Sequence, residues 1–107
     1  MNPLLGRWRI KKSELCGEDE LEREGAARLD LELGSGGRIR MGRLEGEIDW
    51  RGRESAGGWQ AHFTWVGSLD GERASGRGWI RLVERGRLQG KIFVHGGDDP
   101  RFHAVRI

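Results

Sequence analysis

Large apolar residues recur at every second position along most of this chain, with charged residues between them, the pattern of strands that bury one face. From Leu4 to Lys11, Trp8 and Ile10 fall on one side and Arg7, Arg9 and Lys11 on the other. ARLDLEL turns Leu29, Leu31 and Leu33 inward and Arg28, Asp30 and Glu32 outward. RIRM (Ile39, Met41), LEGEIDW (Leu44, Ile48, Trp50) and WQAHFTW (Trp59, Phe63, Trp65) repeat the pattern, and GWIRLV, LQGKIFVH and RFHAVRI complete eight strands. The links GSGG at 34–37, GR at 42–43, RGRESAGG at 51–58, ERG at 84–86 and GGDDP at 96–100 are short and glycine-bearing, as links between antiparallel neighbours are. With no long crossover, the expected fold is all-β: an eight-stranded antiparallel up-and-down barrel, one domain over 1–107. Gly46, Gly78 and Gly90 fit places where a closing sheet bends or its interior tapers. The one helical candidate, GEDELERE at 17–24, is one or two turns capping a barrel end.

Composition narrows the chemistry. Charged residues form 34% of the chain, but 19 Lys and Arg against 17 Asp and Glu leave a net charge of +2, so bulk charge gives little reason to expect nucleic acid. Cys16 is the only cysteine, which excludes an internal disulfide and a multi-cysteine metal site. MNPLLGRWRIKK has no apolar run long enough for a signal peptide or a membrane span, so a bacterial-type cytoplasmic protein with no membrane partner is expected.

An up-and-down order sorts the links between the two barrel ends. Links 12–25, 42–43, 67–76 and 96–100 share one end and gather Glu14, Glu18, Asp19, Glu20, Glu22, Glu24, Asp70, Glu72, Asp98 and Asp99 there. The opposite end holds more Arg than acid. Trp65 and Trp79 flank the 66–78 loop at the acidic end, and Trp50 and Trp59 should be near neighbours across a turn at the other. The interior of an eight-stranded barrel is either packed by side chains or holds one small ligand. The expected ligand site is therefore an aromatic mouth over an acidic rim, made by Trp65, Trp79, Asp70, Asp98 and Asp99.

HGGDDPRFH at 95–103 brings together two histidines and two aspartates. As metal ligands, His95, Asp98, Asp99 and His103 would suit zinc or another first-row ion, but facing Val94 and Ile92 toward Phe102 and Ala104 points both histidines outward. As a turn, the stretch is well explained: Gly96 and Gly97 allow positive φ, the aspartates bond nearby backbone N–H groups, and Pro100 stiffens the exit. No nucleophile motif, zinc-protease motif or phosphate loop is present. GSGGR at 34–38 links two strands instead of opening a helix, so it is a hairpin and not a phosphate cradle.

Gly6 and Trp8 in LLGRWRI resemble the G-x-W of calycin barrels, the lipocalins and their relatives. That resemblance implies an arginine of the last strand lying over the tryptophan, and Arg106 holds that position. Over nearly the whole chain, GRGW at 76–79 together with His95, Gly97, Asp98, Asp99, Phe102 and Ala104 resembles a group of short bacterial proteins of uncharacterised function. The resemblance carries no chemistry with it.

The expected function is thus a noncatalytic barrel, needing no cofactor or metal, that binds a small, cationic ligand at its acidic mouth. The alternative is a protein-interaction or structural module that uses the Arg- and Glu-striped outer wall, with a homodimer as one such assembly. An enzyme using Asp98, Asp99 or His95 as acid or base ranks behind both.

Overall fold

The computed structural model describes residues 2–22 and 27–107. They build β1 (Gly6–Ser13), α1 (Glu18–Glu22), β2 (Arg28–Leu31), β3 (Gly36–Met41), β4 (Leu44–Ser55), β5 (Gly58–Leu69), β6 (Glu72–Glu84), β7 (Arg87–Val94) and β8 (Arg101–Arg106). The strands form a closed barrel in sequence order, each antiparallel to the next, with β8 returning to β1. This is the up-and-down barrel that the alternation predicts. Arg23 and Glu24, the end of the expected helix, lie outside the described residues. No helix among the described residues is long and apolar enough to cross a membrane.

Two expected loops are instead strand. β5 and β6 run through 67–76 and meet at a two-residue turn, Asp70–Gly71, with Leu69 opposite Glu72. Both turn residues have left-handed backbone, φ 55° and 80°, the geometry whose twist matches that of the flanking strands. RGRESAGG is likewise absorbed into β4 and β5, leaving Ala56 and Gly57 between Ser55 and Gly58. Trp50 then lies opposite Phe63 and Trp59 opposite Glu54, so the two tryptophans expected as near neighbours are separated along the hairpin. Leu33 also departs from expectation: β2 ends at Leu31, and Leu33 is 88% exposed in the link that follows.

The inward face is wholly apolar among the described residues, with no buried polar or charged side chain. Trp8, Trp50, Trp65, Phe63 and Phe102 fill it together with Leu, Ile and Met. Each of its tryptophans has a partner for its indole N–H: Trp8 donates to the Leu4 carbonyl at 2.9 Å, Trp50 to Gly36 at 2.9 Å and Trp65 to Phe93 at 3.4 Å. Donation to backbone lets these large side chains be buried without an orphaned polar atom.

Glycine makes the space for these rings. Phe63 is paired with Gly78, Trp65 with Gly76 and Phe102 with Gly90. A Cβ at Gly78 would strike the Phe63 ring, one at Gly90 the Phe102 ring, and one at Gly76 the Phe93 carbonyl, with Trp65 Nε1 3.0 Å away. Each ring therefore lies across the bare backbone of its neighbour, an arrangement in which an aromatic residue covers a strand glycine.

Both ends of the barrel are stoppered. At one, α1 turns Leu21 into the core, and the Ala27 backbone links the Leu21 carbonyl (3.0 Å) to the Ile10 N–H (2.9 Å). At the other, Leu4 is fully buried and Arg106 holds the chain that carries it. The Arg106 guanidinium stacks 4.2 Å from the centre of the Trp8 ring and donates to the Leu5 carbonyl at 2.8 Å and to the Pro3 carbonyl. One side chain of the last strand thus clamps the segment that precedes the first.

Candidate functional site

The Asp70–Gly71 turn fixes which face each tryptophan takes. With Leu69 opposite Glu72, Trp65 pairs with inward-facing Gly76, whereas Trp79 pairs with His62, which is exposed. Trp65 is 2% exposed inside the barrel, and Trp79 is half-buried on the outer wall. The structure does not bring these two residues to one space.

The three aspartates of the expected rim are exposed at one end, on two separate turns. Asp70 is engaged by Arg43: its carboxylate lies 3.0 Å from Arg43 Nε, and its N–H donates to the Arg43 carbonyl at 3.1 Å. Arg43 also approaches Glu20 of α1 at 3.8 Å, so this arginine ties the helix, the β3–β4 turn and the β5–β6 turn together. Asp98 accepts from the Val94 N–H through its backbone carbonyl at 3.1 Å, and Gly97 N–H donates to the Val94 carbonyl at 2.8 Å, both internal to the 95–100 turn. His103 stands opposite Gln89, and His95 lies beyond the paired part of that hairpin with its N–H on the Ser75 carbonyl. Among the described residues, no group of three or more His, Cys, Asp or Glu could hold a metal ion.

Cys16 packs beside the same end. Burial pushes its thiol up, Glu20 adds to the rise, and the nearby Arg43 and the Ser13 hydroxyl oppose it. A thiol so placed is a poor nucleophile near neutrality. Reaction with a disulfide reagent at mildly alkaline pH should be slower than for a small free thiol and faster in Glu20→Gln. Equal rates for native and urea-unfolded protein would contradict this.

Three surface grooves stand out among the described residues. One of about 400 Å³ lies between β1 and α1, and two of about 380 and 470 Å³ lie on the wall of β2–β5 among Asp30, Arg38, Glu45 and Glu47. None is lined by Trp65, Trp79, Asp70, Asp98 or Asp99.

The outer wall divides its charges by side. Over β2–β4, four of the five strand arginines are matched by acid: Arg28 with Asp30 (3.5 Å), Arg38 with Glu47 (3.9 Å), Arg40 with Glu45 (4.0 Å) and Arg51 with Asp49 (2.8 Å), the fifth being Arg53 near the end of β4. Over β6–β8 the outward positions include Arg73, Arg77, Trp79 and Arg81, then Arg87, Gln89, Lys91 and Phe93, then Arg101 and His103, with the uncharged Ser75, Val83 and Val105 between or beside them. Glu72 and Glu84 at the ends of β6 are the only acids in these three strands. Among the described residues, the side-chain cations of Arg73, Arg77, Lys91 and Arg101 have no carboxylate within ion-pairing distance, although the Glu14 carboxylate accepts from the Arg101 backbone N–H at 2.8 Å, and Lys91 faces Arg101 directly across the β7–β8 pair. Like charges in opposed positions destabilise a sheet.

Two aromatic rings sit within this basic wall. Arg77 lies 5.1 Å and Lys91 5.3 Å from the centre of the Phe93 ring, and Arg81 lies 6.0 Å from that of Trp79. Arg77, Arg81, Lys91 and Phe93 were not among the residues singled out from the sequence. The signal for them is the period itself: once Gly78, Ile80 and Ile92 face the core, the aromatic residues at 79 and 93 must occupy the polar face, where aromatics are unusual. No family model, curated protein or solved structure matches the chain.

Proposed function

We propose that this protein is a noncatalytic binding module that works through its outer wall, at the basic and aromatic surface of β6–β8, and not through its interior. The observation that carries this reading is the accumulation of unpaired cations around Trp79 and Phe93 on a barrel whose inside is filled with apolar side chains. A cluster that costs the fold electrostatic repulsion and gains no carboxylate partner to offset it is suited to an anionic one. A mouth for a small cationic ligand has less support, because Trp65 and Trp79 face opposite sides of the wall and Asp70 is engaged by Arg43. A two-fold homodimer through the basic wall is disfavoured, since it would set like charges against each other. The calycin-like likeness is supported by Arg106 on Trp8, and a bacterial cytoplasmic setting suits the free thiol of Cys16.

The test uses a generic polyanion. The protein should be retained on immobilised heparin at low salt, and the double variant Arg77→Glu, Lys91→Glu should elute at clearly lower salt. Arg38→Glu with Arg40→Glu makes the same change in net charge on the opposite wall and should elute nearly as the parent does. Equal loss in both variants, or no retention of the parent, would refute a localised site.

A further inference from the structure

We propose that the partner of the β6–β8 wall is a single strand of nucleic acid, with Trp79 and Phe93 as stacking platforms and the surrounding cations on the phosphates. This rests on the outer-wall reading above and adds the identity of the anion.

The placement of the rings carries the inference. Trp79 is paired with Lys91, and Phe93 is two residues further along the same strand, so the two aromatics are diagonal neighbours on adjacent strands. Such positions lie about 7–8 Å apart, within reach of long side chains and of successive nucleotides of an extended strand. Along β6 a ring lies between two cations, Arg77, Trp79 and Arg81, and each ring has a cation opposite it on the neighbouring strand: Arg77 is paired with Phe93 and Lys91 with Trp79, with a further cation, Arg101, beyond Lys91. A polymer with a charge at every unit and a flat π face between charges matches that spacing, and aromatic stacking with a basic track is how single strands are held without sequence preference. A duplex keeps its base faces inside its own stack and would use only the cations. An acidic peptide would satisfy the charges and leave the rings without a flat partner.

The overall charge of +2 hides this surface because the acids lie elsewhere, on the β2–β4 wall and the turns of one barrel end. The balanced composition, which argued against nucleic acid, therefore describes the sum of two unlike sides.

The experiment is fluorescence anisotropy of labelled oligothymidylate and oligouridylate with the full chain across a salt series, with a labelled duplex and polyglutamate as competitors. Binding should weaken steeply with salt. Trp79→Ala should weaken it about tenfold with little change in salt slope, since stacking is lost and no phosphate contact is. Lys91→Gln should lower the slope by about 0.7, the value for one phosphate contact on a single strand. Phe93→Leu provides a second test of stacking should Trp79→Ala fold poorly, and circular dichroism monitors the fold of each variant. Binding unaffected by loss of either ring, or competition by polyglutamate or duplex equal to that by the single strand, would overturn the proposal. So would salt-sensitive self-association through the wall without oligonucleotide binding. If heparin retention still depends on Arg77 and Lys91 in those cases, the outer-wall reading stands and only the single-strand assignment falls.

Discussion

Replacing Trp8 with alanine is expected to lower the stability of the barrel by about 3–5 kcal/mol, the range for removing a large aromatic side chain from a packed core. The residue is fully buried at the seam where β1 meets both β2 and β8, opposite Leu29 on one side and Arg106 on the other. Its ring supports the Arg106 guanidinium, and its indole N–H holds the Leu4 carbonyl, so the loss reaches the plug at that end as well as the core. Arg106→Ala should cost less, about 1–2 kcal/mol, because it removes the cation–π contact and the bonds to residues 3 and 5 while the apolar core remains. Urea unfolding followed by far-ultraviolet circular dichroism would order the two variants. A Trp8→Ala midpoint close to that of the parent would mean that the seam is not the support described here.

The second large effect is expected from a single added methyl group. Gly90→Ala should destabilise by about 2–3 kcal/mol, toward the upper end for overpacking a well-filled core. The new Cβ would meet the ring of Phe102, which is fully buried, and Ile80 Cγ2 at 3.0 Å. The cause is the ring and not the glycine backbone, because Gly90 has no left-handed φ. Phe102→Leu should therefore relieve part of the strain: the double variant should be more stable than the sum of the single effects implies, by about 1 kcal/mol. Additive effects, or an alanine tolerated without loss, would show that Phe102 does not lie across Gly90 as described.

The sequence shows the eight strands because each has one apolar face, and period-two alternation records that directly. It is less informative where the inward residues are small. Gly67, Ala74 and Gly76 read as a loop, yet they are strand residues in the upper part of the β5–β6 hairpin, and Gly76 is small because Trp65 lies over it. The Asp70–Gly71 pair, a strong local hairpin signal, marks the true turn and would have set Trp65 and Trp79 on opposite faces. The alternation that turns Leu33 inward continues past the end of β2, and the pairing of Leu31 with Gly37 is what marks that end. The basic wall leaves no mark on the composition. Charge totals carry no direction, and Lys91, Trp79 and Arg101 become neighbours only through the registers of two hairpins.

Those hairpins also set where this molecule can grow. Between β3 and β4, β4 and β5, β5 and β6, and β6 and β7, the turns have just enough residues to reverse the chain. One residue added at Asp70–Gly71 shifts the pairing by a single step, and unless a bulge absorbs it, Trp79 turns toward the core and Gly78 toward solvent. The connections from β1 to β2, from β2 to β3 and from β7 to β8 are longer, and extra residues there need not alter any register. The two longest, β1–β2 and β7–β8, lie at the acidic end, which is thus the end with most room to lengthen or exchange segments while the paired walls keep their faces.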